Sequence, residues 1–306
     1  MALKSMNDVA GAAAKTTSEL ASRGRGEKNP RAIIFVFLLW IALAIAVFTL
    51  ITLITVTMIE GWDRLDSRLF TNYPSSRPEE AGARPAILGT IWVVGVTALL
   101  AIPLGVAAAI HLEEMADRNS RINRIIEVNV QNLAAVPSIV YGLLTLGILT
   151  AMGIKTKNIV IGGAIALALL ILPVILIATR EAIRAVPQEI RQGSLALGAT
   201  KWRTTWHQVL PTALPGIATG TIIGLSRAVG EAAPLLVLGG LVFLSFDPNG
   251  LTSQFTTMPI QIFNWASRPQ DEFHQLAAAA SILLLVLLMA MNGVAIYIRN
   301  HYQKKW

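Results

Sequence analysis

The chain has 306 residues, of which 54% are hydrophobic and 14% charged, with a net charge of +7. Mean hydropathy is +0.59. Such a composition excludes an ordinary soluble globular protein, since the apolar residues are too many and too clustered. The absence of Cys excludes a disulfide framework, a thiolate metal site and a Cys nucleophile. The basic residues flank apolar blocks and form no patch, which argues against a nucleic-acid partner and for a lipid bilayer.

Residues 1–30 are polar and rich in Ala, Ser and Gly, and read as a flexible cytoplasmic tail. The apolar block behind them is too long for a cleaved signal and reads as a retained anchor. Six blocks are long enough to cross about 30 Å of hydrocarbon. They run over 33–59, 86–110, 125–150, 159–179, 212–240 and 276–298. Continuous apolar runs of that length predict helices, so the fold class is an all-α integral membrane protein with six transmembrane helices. The membrane region covers 31–300, and 301–306 form a C-terminal tail. Lys and Arg favour the tails, the second-to-third loop and the fourth-to-fifth loop by more than two to one. That bias predicts that both termini and the 180–210 loop are cytoplasmic.

Two outward loops, Glu60–Pro85 and Leu241–Gln275, are rich in Pro and aromatic residues. They either pack over the helix ends or dock a partner. The third span opens with Glu127, Asn129, Gln131 and Asn132, which either line a path or cap the bundle at the interface. The four His residues show no metal-ligand spacing, and the chain has no Gly-Lys-Ser or Gly-Lys-Thr for a P-loop. No catalytic site, metal site or cofactor is expected in this chain.

The 180–210 loop predicts two short helices. In Glu181–Leu197 the residues Ile183, Val186, Ile190 and Leu195 fall at helical spacing, and Gly198 marks the stop. Trp202–Leu210 follows, and Pro211 opens the next span. This loop helix is either a plain amphipathic connector or a docking element.

On a helical wheel of the fifth span, Gly216, Gly220, Gly224, Arg227, Glu231 and Pro234 share an arc of roughly 80°. The three glycines make a small-xxx-small face for close helix approach. Charges at bilayer depth are expensive and mark a solute path or a buried pair. Arg227 and Glu231 therefore carry two readings. As an i,i+4 brace they stand in the less favourable order, with Arg before Glu. As a pathway, Arg227 presents a fork suited to an oxyanion, and Glu231 moderates its grip.

The loop resembles the EAA signature of binding-protein-dependent ABC-transporter permeases. Gln192-Gly193-Ser194 stands at Glu-Ala-Ala, Gly198 at the Gly, Gln208 at the Ile, and Leu210-Pro211 at Leu-Pro. The spacing is kept while the Glu and the Ile are not. Val136-Pro137-Ser138-Ile139-Val140-Tyr141-Gly142, Leu197-Gly198-Ala199-Thr200-Lys201-Trp202 and Arg227-Ala228-Val229-Gly230-Glu231-Ala232-Ala233-Pro234-Leu235 are similar to the phosphate-specific permeases. The stretch from Phe70 to Gly82 points to the PstA type. The family more often has Thr where Ala232 stands. The resemblance covers roughly residues 30–300.

What it implies is a type I ABC importer permease fold in a bacterial plasma (inner) membrane, and a subunit without an ATPase site of its own. The implied partners are a PstC-like second permease, two PstB-like ATPases that use ATP and Mg, and a periplasmic or lipid-anchored PstS-like phosphate-binding protein. Ala196, Leu197, Gly198 and Ala199 would dock the ATPase. The alternatives are a permease of the same fold for another oxyanion, such as molybdate or sulfate, and an ion-driven carrier that uses Arg227 and Glu231.

Overall fold

A computed structural model describes residues 30–117, 120–240 and 243–302. The expected tail over 1–30 therefore lies almost wholly outside the described residues, as do 303–306 of the expected C-terminal tail. The chain divides into two units, through Val56 and from Thr57 onward.

The first unit carries most of helix α1, Pro30–Gly61, which runs on past the division. Its apolar side chains, among them Phe37, Trp40 and Phe48, are exposed. Thr49, Thr52 and Thr55 return their hydroxyls to the carbonyls four residues back at 2.7–2.9 Å. No polar group is left facing lipid by these three residues.

In the second unit a short helix α2, Ser67–Thr71, precedes the long α3, Arg84–Ile110. A single π turn, His111–Met115, ends α3. Then come α4, Arg121–Ala134, and α5, Ser138–Ala151. Helix α6 spans Val160–Arg184 and α7 spans Gln188–Ala196. Helix α8, Lys201–Thr204, passes through a second π turn, Thr205–Val209, into α9, Leu210–Gly230. Short helices α10, Ala233–Val237, and α11, Met258–Ala266, lead to α12, Asp271–Tyr302. Among the described residues five helices are long and apolar enough to cross a membrane, and the α4–α5 pair makes a bent sixth.

Helix α6 is the hub: two thirds of its most apolar window is buried (67%), against 33% or less in the other four long spans. Helices α3 and α9 pack along it, and the central cluster joins Val93 and Ala101 of α3 to Leu167, Ile171 and Ile175 of α6. The outward loops pack over helix ends in part. Trp265 and Phe273 are fully buried with Leu69 and Ala83, whereas Trp62 stays exposed.

Three expected spans and both expected loop helices differ from the observed helices. The third is two helices inclined at 109°. Pro137 cannot donate in a helix and pushes Val136 out of the α region. The fourth continues past residue 179 to Arg184, because Arg180 and Arg184 find carboxylates to pair with. Pro187 therefore sets the start of the loop helix, which is Gln188–Ala196 and not 181–197. The second loop helix is no separate element, since it runs through the π turn into α9. The fifth span ends at Gly230 and not at 240. Glu231 is extended, and Pro234 restarts the chain as α10.

Candidate functional site

The end of α9 at Gly230 has an effect on the predicted charge pair. Arg227 lies in the last helical turn and is exposed, while Glu231 has left the helix and is half-buried. The i,i+4 geometry that a brace would need is absent. Among the described residues the Arg227 guanidinium makes no ion pair or hydrogen bond. Pro234, expected on the same face, belongs to α10 instead.

Two interrupted spans meet here. A Cβ on Gly142 of α5 would lie 2.5 Å from the Pro234 carbonyl oxygen, so α10 rests directly on α5. Tyr141, Ala228 and Leu235 share one apolar cluster, with Val136 packed against it. The Tyr141 hydroxyl donates to the Leu133 carbonyl at 2.6 Å, holding α5 to the end of α4 across the Pro137 break. Arg227 is within electrostatic reach of the Tyr141 phenol. Interrupted helices at membrane depth are tolerated where they are buried in protein or line a water-filled path. An exposed guanidinium at such a junction can take an anion in a bidentate grip.

The glycine face lies against α6. Cβ atoms added at Gly216 and Gly220 would fall 2.6 Å from Ala182 Cβ and 2.3 Å from Ala178 Cβ. One at Gly224 would fall 3.1 Å from Ile175 Cγ1. Gly216 and Gly220 thus oppose alanines and Gly224 makes room for Ile175, and the neighbour is a helix of the same chain.

In the loop, Gly198 has φ +83, the left-handed turn that favours glycine. The amides of Gly198 and Ala199 close the end of α7 onto the carbonyls of Leu195 and Ser194. Leu197 is 91% exposed on the turn that it shares with Gly198, directly after the exposed Ala196 that ends α7. A groove of about 520 Å³ beside it is lined by Ile190, Gly193, Leu197 and Ala199, among others. The hydroxyls of Ser194 and Thr204, 2.9 Å apart, fix α7 to α8.

A cluster of ion pairs escaped the sequence reading. Glu113, with a side chain 4% exposed, receives Arg180 Nε at 3.3 Å and Arg184 Nε at 2.9 Å. Glu127 takes Arg180 Nη2 at 3.0 Å and Arg184 Nη2 at 3.4 Å. Glu114 takes Arg191 Nη2 at 2.8 Å. Glu113, Glu127, Arg180, Arg184 and Arg191 border a cavity of about 470 Å³. Glu127, expected either to line a path or to cap the bundle, belongs to this cluster. Asn129 beside it returns its amide to the Ile125 carbonyl. The available signal was charge complementarity between loops: an acidic pair ends one span, and Arg180 and Arg184 end another at i,i+4. Among the described residues no group of His, Asp and Glu could hold a metal ion.

Residues 101–304 match the family described as binding-protein-dependent transport system inner membrane component. The phosphate transport system permease protein PstA 1 of Mycobacterium tuberculosis is 32% identical over 277 residues, 89% of this chain and 88% of its own length. The probable ABC transporter permease protein YqgI of Bacillus subtilis is 31% identical, covering 86% and 92%. The PstA protein of Haemophilus influenzae is 29% identical, covering 87% and 92%. Among solved structures, a chain of a bacterial alginate ABC transporter superposes with a TM-score of 0.61 at 15% identity, over 91% of this chain and 99% of that one. A chain of the MetNI methionine ABC transporter gives 0.59 at 17% identity, over 72% and 95%. These share the fold, a type I ABC importer permease. The chain is thus a multi-pass transport subunit and not an enzyme, and it belongs to the family of binding-protein-dependent transport system inner membrane components, with its similarity running to the PstA-type members.

Proposed function

We propose that this chain is the PstA-like half of an ATP-driven importer of inorganic phosphate in a bacterial plasma membrane, with both termini and the 180–210 loop cytoplasmic. A PstC-like permease completes the pathway, one of two PstB-like ATPases binds at the loop, and a PstS-like protein delivers phosphate from outside. The observation that carries the reading is Arg227, exposed and without an ion-pair partner among the described residues, where two interrupted spans meet. Phosphate near neutral pH is an anion of one to two charges, and in a low-dielectric passage it needs a compensating cation. The guanidinium supplies that charge and a planar fork for two oxygens. Glu231, beside the helix end, keeps the anion from being held too tightly, as rapid passage requires. The left-handed turn at Gly198 and the bare Leu197 side chain present α7 to the ATPase. The names of the similar permeases, several of them phosphate permeases, support the choice of solute.

The test is solute-stimulated ATP hydrolysis by the complete complex in vesicles, with the binding protein loaded in turn with phosphate, sulfate and molybdate. Stimulation and uptake with phosphate are expected. Stimulation with sulfate or molybdate alone would move the reading to another oxyanion. Uptake that survives removal of ATP and collapses with the proton gradient would replace it with an ion-driven carrier.

A further inference from the structure

Arg191 of α7 joins its own helix to two others at once. Its Nη2 and Nε donate to Glu114 Oε1 at 2.8 and 3.2 Å, in the π turn that ends α3. Its Nη1 and Nη2 also donate to the carbonyls of Val186 and Ile183, at the end of α6, at 2.6 and 2.8 Å. Both partners of the pair are shielded, Arg191 with 11% and Glu114 with 14% of the side chain exposed. The neighbouring residue Glu113 joins the same π turn to Arg180 and Arg184 of α6, which hold Glu127 of α4. The end of α4 leads through the Pro137 break to Tyr141 and the Arg227 junction.

Stability alone does not account for this arrangement. A shielded ion pair often recovers less than its desolvation cost, and apolar residues of similar volume would hold the helices at least as well. The pair is moreover built on an i→i+5 turn, closed by the Ala116 amide on the His111 carbonyl at 2.8 Å. A second π turn, Thr205–Val209, lies where α8 passes into α9. Single π turns are rare in helices and cluster at functional sites. Here one carries Glu114, the partner of Arg191, and the other lies beside α7 just after Thr204, whose hydroxyl meets Ser194.

We propose that Arg191 and Glu114 are positioning residues that convert displacement of α7 into displacement of the α3–α6 pair, and so couple ATP hydrolysis to solute passage. This rests on the docking of α7 against the ATPase proposed above. The fork of Arg191 makes α7, the end of α3 and the end of α6 move as one piece. With the fork cut, α7 still meets the ATPase, but its motion is lost before it reaches the pathway.

The test separates docking from coupling. The chain has no Cys, so Leu197→Cys gives it a single thiol for crosslinking toward the ATPase in the complete complex. ATP hydrolysed per phosphate imported is then measured in vesicles, with phosphate-loaded binding protein. Glu114→Ala, which removes the oxygen that accepts both bonds, and Arg191→Lys should each raise that ratio at least tenfold while leaving the Leu197→Cys crosslink yield unchanged. Arg191→Lys keeps the charge but not the fork, so a ratio raised by both variants identifies the fork as the working part. If the unsubstituted pair gives no crosslink at Leu197→Cys, the docking reading falls and this inference with it. If the crosslink forms and Glu114→Ala keeps the original ratio, docking stands and the coupling role is overturned. Should one of the two variants fail to assemble, the other decides.

Discussion

Two arginines, Arg180 near the end of α6 and Arg227 near the end of α9, lie on adjacent packed helices and live in opposite surroundings. Arg180 is 9% exposed and held between Glu113 and Glu127. Arg227 is exposed, and no ion pair holds it among the described residues. Both count as charges in or beside an apolar span, and hydropathy alone cannot tell them apart. The difference lies in which elements surround them. A cation enclosed by two carboxylates is already neutralised and ties helices together. A cation at a helix break with no such enclosure is free to meet an anion that passes. The two are expected to answer substitution in opposite ways, which makes the comparison testable.

The largest effect should come from Arg180. Arg180→Met leaves Glu113 with less compensation in a buried setting, and breaking a buried pair of this kind costs about 3–5 kcal/mol. The expected outcome is a protein that fails to accumulate or elutes as aggregate after extraction, read by fluorescence-detected size-exclusion chromatography. A well-assembled Arg180→Met complex would mean that the loop-end cluster is ornamental to the fold.

Next comes the seam that holds the two helices in register. A Cβ at Gly220 would lie 2.3 Å from Ala178 Cβ, so Gly220→Leu forces α9 off α6. Overpacking of this sort costs about 1–3 kcal/mol, occasionally more. The check is thermal stability of the extracted complex, with Gly220→Ala/Ala178→Gly as the paired control. The double variant exchanges the methyl across the same gap and should recover most of what Gly220→Ala alone loses. Equal stability of both single and double variants would show that the seam is not in contact.

The seam was legible in the chain because three small residues at intervals of four need no long-range information. Gly198 was legible for the same reason, as a helix stop one residue beyond an amphipathic run. The breaks were less so. Pro137 and Pro234 are visible in the sequence, yet apolar residues on both sides keep hydropathy high, and the window reads straight through them. The result was a continuous fifth span on which Glu231 and Pro234 shared a face with Arg227. The ion cluster was out of reach for another reason. Glu113 and Arg180 are 67 positions apart, and each alone looks like a solvated charge at a span end. Only the packing of α3 on α6 brings them together.

A smaller effect belongs to Gly198. Its φ is +83, and an added Cβ would meet nothing within 4 Å. The whole consequence of Gly198→Ala is therefore backbone strain, about 1–2 kcal/mol for an L-residue held in the left-handed region. Gly198→Asn should be milder, since Asn tolerates that conformation better. Amide hydrogen exchange over 188–200 is the readout: faster exchange in Gly198→Ala than in Gly198→Asn is expected, with the long spans unchanged. Equal protection in all three proteins would show that the turn does not stay left-handed in solution.

Arg227 closes the comparison with the smallest structural effect. Its side chain is exposed and has no ion-pair partner among the described residues. Arg227→Gln therefore removes no hydrogen bond or ion pair among the described residues, and its loss of stability should not exceed about 1 kcal/mol. What it also removes is a charge in the last turn of α9, where a cation interacts with the helix dipole for roughly 0.3–1 kcal/mol. That modest term sets the upper end of the expected loss. Phosphate uptake in vesicles should nevertheless disappear, while basal ATP hydrolysis and complex assembly persist. Glu231→Gln, which leaves the guanidinium in place, should slow release more than it weakens capture. If Glu231 were a brace for Arg227, the swap Arg227→Glu/Glu231→Arg would restore function. With Glu231 outside the helix and α10 restarting behind it, the swapped pair does not recreate the same cation position, so the swap should stay inactive. Near-normal uptake by Arg227→Gln, or recovery in the swap, would make Arg227 a second Arg180: a residue of the frame and not of the path.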